Sequence, residues 1–244
     1  MSPSFNDLPV EVVDVISKFL YNPIDVRNAL FVKGLSDSVS RVCKVTRVNY
    51  PHPDTTGLER VIIDLTAWNP NSRKCRHNPF ENVVGDVKYL RLKMNASVRA
   101  YFGSHLMSFF FKSNLPSLVY LDISDMPMSI DINISGFSGA SSLKTLVMRN
   151  CRMYDLSCIP SFRALTSLDL SYNQVEDDQV IHLANMTRLT SLNLHGNRDV
   201  TPDCFEHLPR NLTYLDISGC TIADMNDEAG FKKLPTTITR LVAD

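Results

Sequence analysis

The chain has 244 residues, of which 44% are hydrophobic and 21% are charged, which is the composition of an ordinary globular protein with enough apolar side chains for a buried core. This length fits one or two domains. The 25 basic and 26 acidic side chains leave a formal net charge of −1, which excludes a global electrostatic attraction to nucleic acid or to an anionic membrane.

The first residues of the chain do not have the pattern of a secretory signal. The stretch from Met1 to Asp7 lacks a basic start, and no apolar run follows before the acids Glu11 and Asp14. Nor does any later apolar stretch reach the roughly 18 residues of a membrane span. We therefore expect a cytoplasmic or nuclear protein that does not bind a membrane.

Residues 1–50 contain no repeat and are predicted to form a small helical module. Apolar residues at helical spacing predict three helices, over residues 7–20, 24–32 and 35–45. Pro9 lies in the first turn of the first helix, where a missing N–H costs little, and Pro23 ends that helix. Pro51 marks the boundary to a second domain over residues 51–244.

The first predicted helix resembles the start of an F-box. That family begins with Leu-Pro-x-Glu and continues with apolar residues, and this chain has Leu8-Pro9-Val10-Glu11 followed by Ile16 and Leu20, although the family's tryptophan is missing. The resemblance implies that Leu8, Pro9, Ile16 and Leu20 bind a Skp-type adaptor. It also implies a substrate-recognition subunit of a cullin-type ubiquitin ligase. The alternative is a helical cap that covers the end of the second domain.

A repeated pattern, LxxLxLxxN, runs through the second domain. The clearest copy begins at Leu165 and continues through Leu168, Leu170 and Asn173. The first positions of the proposed copies are Leu58, Val87, Leu118, Leu143, Leu165, Leu189, Leu212 and Ile238. From Leu118 onward they follow one another at about the 20–29 residues of leucine-rich repeats.

This pattern resembles the leucine-rich repeat family. The resemblance implies an α/β solenoid of about eight coils, with a parallel sheet on its concave side. The alternation within LxL sends leucines inward and the intervening residues outward. Each coil buries its leucines only against the next coil, so several coils must stack. In the family the Asn side chain turns inward and bonds to loop backbone, and Cys151 and Cys220 hold that position here. We interpret both as structural thiols.

Between the predicted strands lie signals for helices on the convex side. The acids Asp177 and Asp178 precede an apolar run, as at the positive end of a helix dipole. Thr201-Pro202 begins a second helix, with Phe205 and Leu208 on its buried face. A longer helix is predicted over residues 98–114.

The third, fifth and seventh positions of each copy are expected to face the concave side. The candidates for contact with a protein partner there are Tyr89, Arg91, Lys93, Tyr120, Asp122, Arg149, Asp169, Asn193, His195, Tyr214 and Asp216. Aromatic residues and arginine are common anchors of interfaces. The alternative is that these residues form solvated strand faces without a partner.

The sequence favours a binding protein over an enzyme. The one cluster that suggests catalysis is His195 near Asp169, Asn193 and Asp216, with Ser171 and Ser218 on neighbouring strands. It is expected on an open sheet with no pocket or oxyanion donors. No CxxC pair occurs and Cys75 and His77 stand alone, so we expect no metal and no cofactor. The basic loop 71–77 is expected to be solvated rather than to bind nucleic acid. Two functions remain as alternatives. One is a substrate receptor of a ubiquitin ligase, and the other is a structural or regulatory scaffold subunit with no link to ubiquitin.

Overall fold

A computed structural model describes residues 44–47, 60–65, 87–94, 115–125, 140–221 and 228–243. The chain divides into two compact units, Met1–Lys44 and Val45–Asp244. The predicted N-terminal helices, with Leu8, Pro9, Ile16 and Leu20, lie outside the described residues except at the end of the third. There the prediction of a helix up to residue 45 is wrong, because Lys44 and Val45 belong to a strand. The predicted helix over 98–114 and the basic loop 71–77 also lie outside the described residues. In the described part of the chain, no helix is long and apolar enough to cross a membrane.

Within the described ranges, nine strands form one open sheet in which the strands follow chain order. They are β1 (Lys44–Arg47), β2 (Arg60–Leu65), β3 (Tyr89–Met94), β4 (Tyr120–Asp122), β5 (Thr145–Val147), β6 (Ser167–Asp169), β7 (Ser191–Asn193), β8 (Tyr214–Asp216) and β9 (Arg240–Val242). Every pair of neighbours from β2 to β9 is parallel. The predicted parallel sheet is therefore confirmed.

The register of the sheet follows the repeat. Leu168 of β6 is paired with Leu192 of β7, and Leu192 with Leu215 of β8. Each of these leucines is at most 1% exposed. The same position at the last strand differs, because Leu241 of β9 is 39% exposed. Stacking thus buries a leucine only where a coil lies on both sides of it, as expected for a solenoid.

Asparagine side chains join neighbouring coils inside the turns. The Oδ1 atom of Asn173 accepts hydrogen bonds from the backbone N–H of Cys151 and of Met153, both at 2.9 Å. Its Nδ2 donates to the carbonyls of Met148 at 2.7 Å and of Leu170 at 2.8 Å. Asn197, 0% exposed, repeats this arrangement one coil further on. These amides satisfy buried backbone groups, which explains why the repeat keeps a polar residue within its core.

The cysteines that replace this asparagine also donate hydrogen bonds to buried backbone carbonyls, through their sulfur atoms. The Sγ of Cys151 donates to the carbonyl of Ile123 at 3.2 Å, and that of Cys220 to the carbonyl of Leu194 at 3.2 Å. Burial raises the pKa of Cys220 to about 11. A thiol with a raised pKa is a poor nucleophile, so these contacts agree with a structural role.

The segments between the strands are shorter and tighter than the predicted helices. Asp177–Val180 forms a single α-helical turn, α1, which continues into a 3-10 helix at Ile181–Leu183. The helix predicted at Thr201-Pro202 is a 3-10 helix over Pro202–His207, and the Thr201 hydroxyl accepts the N–H of Asp203 at 3.2 Å. Further segments are a 3-10 helix at Ile159–Ser161 and a turn of α-helix, α2, at Glu228–Phe231.

The length of the coil explains this difference. Two neighbouring strands must remain paired, so the returning segment has to cross the whole coil in few residues. A 3-10 helix rises about 2.0 Å per residue against 1.5 Å for an α-helix and covers that distance with fewer residues. The predicted buried face is confirmed, because Phe205 is 0% and Leu208 is 1% exposed.

Candidate functional site

The residues between the buried leucines form one face of the sheet, which we call the polar sheet face. It consists of the described residues at the third, fifth and seventh repeat positions of the coils that contain β3 to β9, together with Tyr172 at the eighth position of its coil, and it corresponds to the predicted concave side. Its central members, Ser167, Asp169, Ser191 and Asn193, are partly exposed, whereas Leu168 and Leu192 between them are buried. The alternation of the strands alone produces this separation.

Two tyrosines stack at the N-terminal part of the polar sheet face. Tyr89 of β3 is paired with Tyr120 of β4, and their ring centroids are 4.1 Å apart with the planes 8° from parallel. Tyr89 is only 8% exposed. The stack therefore covers one face of each ring with the other ring.

An ion pair lies next to this stack. The Nε atom of Arg91 is 2.9 Å from the Oδ2 atom of Asp122, and the side chains are 24% and 5% exposed. The neighbouring Lys93 belongs to β3 by its backbone, and its side chain lies outside the described residues. Together, Tyr89, Arg91, Tyr120 and Asp122 form what we call the paired cluster, because each contacts another member.

The acidic and amide residues of the fifth position share a local structural role. In four coils the Oδ1 atom of this residue accepts the backbone N–H of the residue two positions on, at 2.9 to 3.0 Å. These acceptors are Asp122, Asp169, Asn193 and Asp216. Such an Asx turn satisfies a backbone donor at the point where the strand ends. The fold alone therefore explains Asp or Asn at this position.

A second group of polar and aromatic side chains crosses the coils of β5 to β8. The guanidinium carbon of Arg149 lies 4.6 Å from the centroid of the Tyr172 ring, as in a cation–π contact. That ring meets His195 edge-on, with centroids 4.6 Å apart. The Tyr172 oxygen is 2.7 Å from the Nε2 atom of His195. We call Arg149, Tyr172 and His195 the open cluster, because Arg149 and Tyr172 are both exposed.

The open cluster continues into a chain of hydrogen bonds. His195 Nδ1 is 2.6 Å from the Ser218 hydroxyl, which donates to Asp216 Oδ1 at 2.6 Å. Because Ser218 donates its hydroxyl proton to Asp216, it can only accept from His195. The hydrogen-bond network therefore places a proton on Nδ1 of His195. Serine thus stands between histidine and aspartate, whereas an activated serine needs histidine in the middle.

One hydroxyl in the same column has no such partner. Ser171 lies at the seventh position between Arg149 and His195, and it is 2% exposed. Its Oγ atom is buried and has no hydrogen-bond partner among the residues that the structure describes. Ser218, two coils on, satisfies the same kind of hydroxyl with Asp216 and His195.

The C-terminal margin of the polar sheet face holds Tyr214. The guanidinium carbon of Arg240 lies 5.2 Å from the centroid of its ring, and the phenol donates to Asp216 Oδ2 at 3.3 Å. Desolvation, followed by the negative charge of Asp216, raises the pKa of Tyr214. Asp216 therefore receives hydrogen bonds at both oxygens and belongs largely to the fold.

The sequence groups Arg149 with Tyr89, Arg91, Lys93 and Tyr120 as a basic and aromatic part of the face, whereas in the structure Arg149 contacts Tyr172, which contacts His195. The structure also adds Tyr172, which occupies the eighth position and was absent from the prediction based on the third, fifth and seventh. One signal in the sequence could have found it. The eighth position holds Asp125, Asn150, Gly196 and Gly219 in other coils, so a tyrosine at this position is unusual. Among the described residues, no three His, Cys, Asp or Glu side chains are grouped as around a metal ion.

A comparison with known protein families agrees with this architecture for part of the chain. A sequence model of the leucine rich repeat family matches residues 161–222, the part of the chain that contains β6, β7 and β8. A search of curated proteins gives no match.

Two solved structures from Listeria monocytogenes str. 4b F2365 are similar. The internalin inlF has 17% sequence identity and a TM-score of 0.49, over 76% of this chain and 54% of that one. The internalin C2, inlC2, has 19% identity and a TM-score of 0.47, over 77% of this chain and 72% of that one. The chain therefore spans about half the length of the first of them.

Proposed function

We propose that this chain is a non-enzymatic protein-binding module and that the polar sheet face contacts the partner. The observation that carries the proposal is the exposed stack of Arg149 on Tyr172 in the middle of that face. Large aromatic side chains and arginine dominate the energy of interfaces. Here they are held by a sheet whose other face is a close-packed leucine core, so little conformational freedom is lost on binding.

The size of the face supports a macromolecular partner. Seven strands, β3 to β9, at about 4.8 Å spacing extend over about 29 Å. A metabolite would contact only a fraction of such a surface, whereas a peptide or a protein domain can span it. The partly exposed small residues Thr145, Ser167 and Ser191 leave the centre of the face low enough for a partner's backbone to approach.

The hydrogen-bond order at Ser218 supports binding rather than catalysis. Its hydroxyl donates to Asp216 and accepts from His195, and the residue is only 5% exposed. A nucleophile needs the reverse order, in which histidine removes the serine proton. The contacts of this serine are those of a group that positions His195.

Photo-crosslinking in the cell tests the proposed face. A photoreactive amino acid is placed at Thr145 or Ser191, and in separate variants at the exposed Arg163 and Asn185 in the connecting segments. We expect one distinct protein adduct from the two strand positions and none of it from the other two. The same adduct from all four positions, or none from the strands, would contradict the proposal.

For the N-terminal module we propose a separate function, binding of a Skp-type adaptor through Leu8, Pro9, Ile16 and Leu20. What supports it is the Leu8-Pro9-Val10-Glu11 motif and its place before a repeat array. The chain would then act as a substrate-recognition subunit of a cullin-type ubiquitin ligase. The alternative is a structural or regulatory scaffold, in which the same residues cover the first coil.

Full-length protein with Leu8→Ala and Pro9→Ala distinguishes these two roles. Under the adaptor hypothesis, a purified adaptor binds wild type at micromolar concentration and does not bind the variant, and both melt at the same temperature. No adaptor complex with wild type, together with a lower melting temperature of the variant, would leave the capped scaffold.

A further inference from the structure

The eighth repeat position adopts a left-handed backbone conformation in five successive coils. The φ angles are 61° at Asp125, 53° at Asn150, 56° at Tyr172, 72° at Gly196 and 64° at Gly219. In this conformation the backbone N–H continues the hydrogen-bond ladder past the strand, for example from Tyr172 to the His195 carbonyl at 2.7 Å. Glycine, asparagine and aspartate tolerate this region, whereas other residues are strained there by about 1–2 kcal/mol.

Among these five eighth-position residues Tyr172 is the exception to this rule, and its surroundings are fitted to it. A Cβ atom at Gly196 in the next coil would lie 3.0 Å from Cδ1 of the Tyr172 ring. Glycine at 196 therefore leaves the space in which that ring lies. On the other side, Arg149 of the preceding coil stacks on the ring. The strained tyrosine is thus a platform that links Arg149 to His195.

Ser171, the residue before Tyr172, carries a second unfavourable feature, which is a hydroxyl unsatisfied within the described part of the chain. The buried hydroxyl of Ser171 has no hydrogen-bond partner among the described residues, although such groups are nearly always paired. The coil of β8 fills the same two positions with Ser218, which is hydrogen-bonded, and Gly219, which is unstrained. Strain and unsatisfied polar groups that a repeat can avoid elsewhere are typical of functional sites.

The cation on this platform is available to a ligand. Arg149 is exposed, and its guanidinium makes no ion pair with any residue in the described part of the chain. Other arginines are used by the fold, since Arg91 is paired with Asp122 and Arg210 donates to two backbone carbonyls. Stacking fixes the plane of the guanidinium and leaves its N–H edge free for two oxygens of a carboxylate or phosphate.

Resting on the proposed function of the polar sheet face, we propose that the open cluster recognises an anionic side chain of the bound protein. Arg149 donates hydrogen bonds to the carboxylate or phosphate of that side chain, and Tyr172 is the positioning residue that holds the guanidinium flat. The carboxylate of Asp216 does not compete, because Ser218 and Tyr214 occupy both of its oxygens. Asp169 uses one oxygen for its own Asx turn.

Small-molecule titration of the full chain, followed by NMR, tests this site directly. The probes are N-acetylglutamate amide, N-acetylphosphoserine amide and, as the cationic control, N-acetyllysine amide. We expect saturable shifts at Arg149, Tyr172 and His195 with an anionic probe and none with the lysine probe. The two anionic arms separate a carboxylate from a phosphate as the preferred group. Shifts that do not saturate, or that are equal with all three probes, would overturn the proposal.

Two pairs of variants assign the roles. Arg149→Gln lowers the affinity for the anionic probe at least tenfold, as expected for a lost charge-assisted hydrogen bond, which is worth about 1.5–3 kcal/mol. The control Arg152→Gln, at an exposed arginine three residues further along, leaves it unchanged. Tyr172→Asn also lowers the affinity, whereas Tyr172→Phe retains the platform and most of the affinity. Wild-type affinity in Tyr172→Asn would exclude the positioning role.

Crosslinking of the partner separates this proposal from the one on which it rests. If the anionic probes do not bind but Thr145 and Ser191 still give the distinct adduct, the anion site is wrong and the binding face stands. If the probes bind at Arg149 but the strand positions give no adduct, the binding face is wrong, and with it the assignment of the anion to a protein partner.

Discussion

The paired cluster and the open cluster contain similar residues and use them in opposite ways. In the paired cluster, Tyr89 stacks on Tyr120 and Arg91 neutralises Asp122, and the members are largely buried. In the open cluster, an arginine also lies beside a tyrosine, but both are exposed and the cation has no carboxylate partner among the described residues. The same residue types at repeat positions can therefore stabilise one coil and remain available to a partner in another.

The largest expected effect of this difference is at Tyr89. Tyr89→Ala should lower the free energy of unfolding by about 3 kcal/mol, because it removes a buried ring and the stacking contact of that ring with Tyr120. Tyr154→Ala, at a tyrosine that is 37% exposed, should change it by less than about 0.5 kcal/mol. Urea denaturation of both variants measures the two losses. Equal losses would mean that Tyr89 does not serve the fold.

The two arginines give the next largest contrast. Arg91→Gln leaves Asp122 as a buried charge, so we expect a loss of about 2 kcal/mol, below the roughly 3–5 kcal/mol of a fully buried pair because Arg91 is 24% exposed. Arg149→Gln removes no ion pair with any residue that the structure describes, and it should cost less than about 0.5 kcal/mol. Denaturation curves at low and high salt provide the measurement. A loss at Arg149 as large as that at Arg91 would show that the open cluster is structural.

The sequence was sufficient for the sheet and its buried register. The spacing of Leu168, Leu192 and Leu215 predicts adjacent parallel strands because an LxL alternation can bury its leucines only against a neighbouring copy. The inward asparagine could also be predicted from the resemblance to the leucine-rich repeat family, and the amide of Asn173 both accepts from and donates to buried backbone.

The functional meaning of the polar sheet face could not be predicted in the same way. A repeat position fixes which way a side chain points, but its partner depends on the neighbouring coil. Asp169 and Asn193 were predicted as contact residues, yet each accepts a hydrogen bond from its own chain two residues on. Tyr172 was missed because its exposure follows from a left-handed φ of 56°, which no alternation rule contains.

Tyr172→Asn should separate stability from binding. Asparagine is the residue that the preceding coil uses at this position, so the substitution relieves strain, and we expect a gain of about 0.5–1 kcal/mol after the lost contacts are subtracted. Thermal unfolding measures the gain. A clear loss of stability would mean that the ring contributes more to packing than the left-handed backbone costs.

The sharpest test of the comparison is Val147→Asp, from which we expect only a small change in stability. Val147 is the one fifth-position residue from β4 to β8 that is neither Asp nor Asn, and Arg149 follows it by two residues. An aspartate there can accept the backbone N–H of Arg149, as Asp169 does for Ser171, and it brings a carboxylate beside the guanidinium. The new Asx turn and charge pair offset the lost apolar side chain, so stability should change by less than about 1 kcal/mol.

Binding is where this substitution should act, because it gives Arg149 the kind of internal partner that Asp122 gives Arg91. The affinity for the anionic probe should fall about as far in Val147→Asp as in Arg149→Gln. The matched control is Val147→Asn, which can form the same turn without a charge and should keep the affinity. If the aspartate and asparagine variants bind the probe equally well, a carboxylate at position 147 does not compete with the probe for Arg149. The difference between the two clusters would then have to lie in their burial rather than in the pairing of their charges.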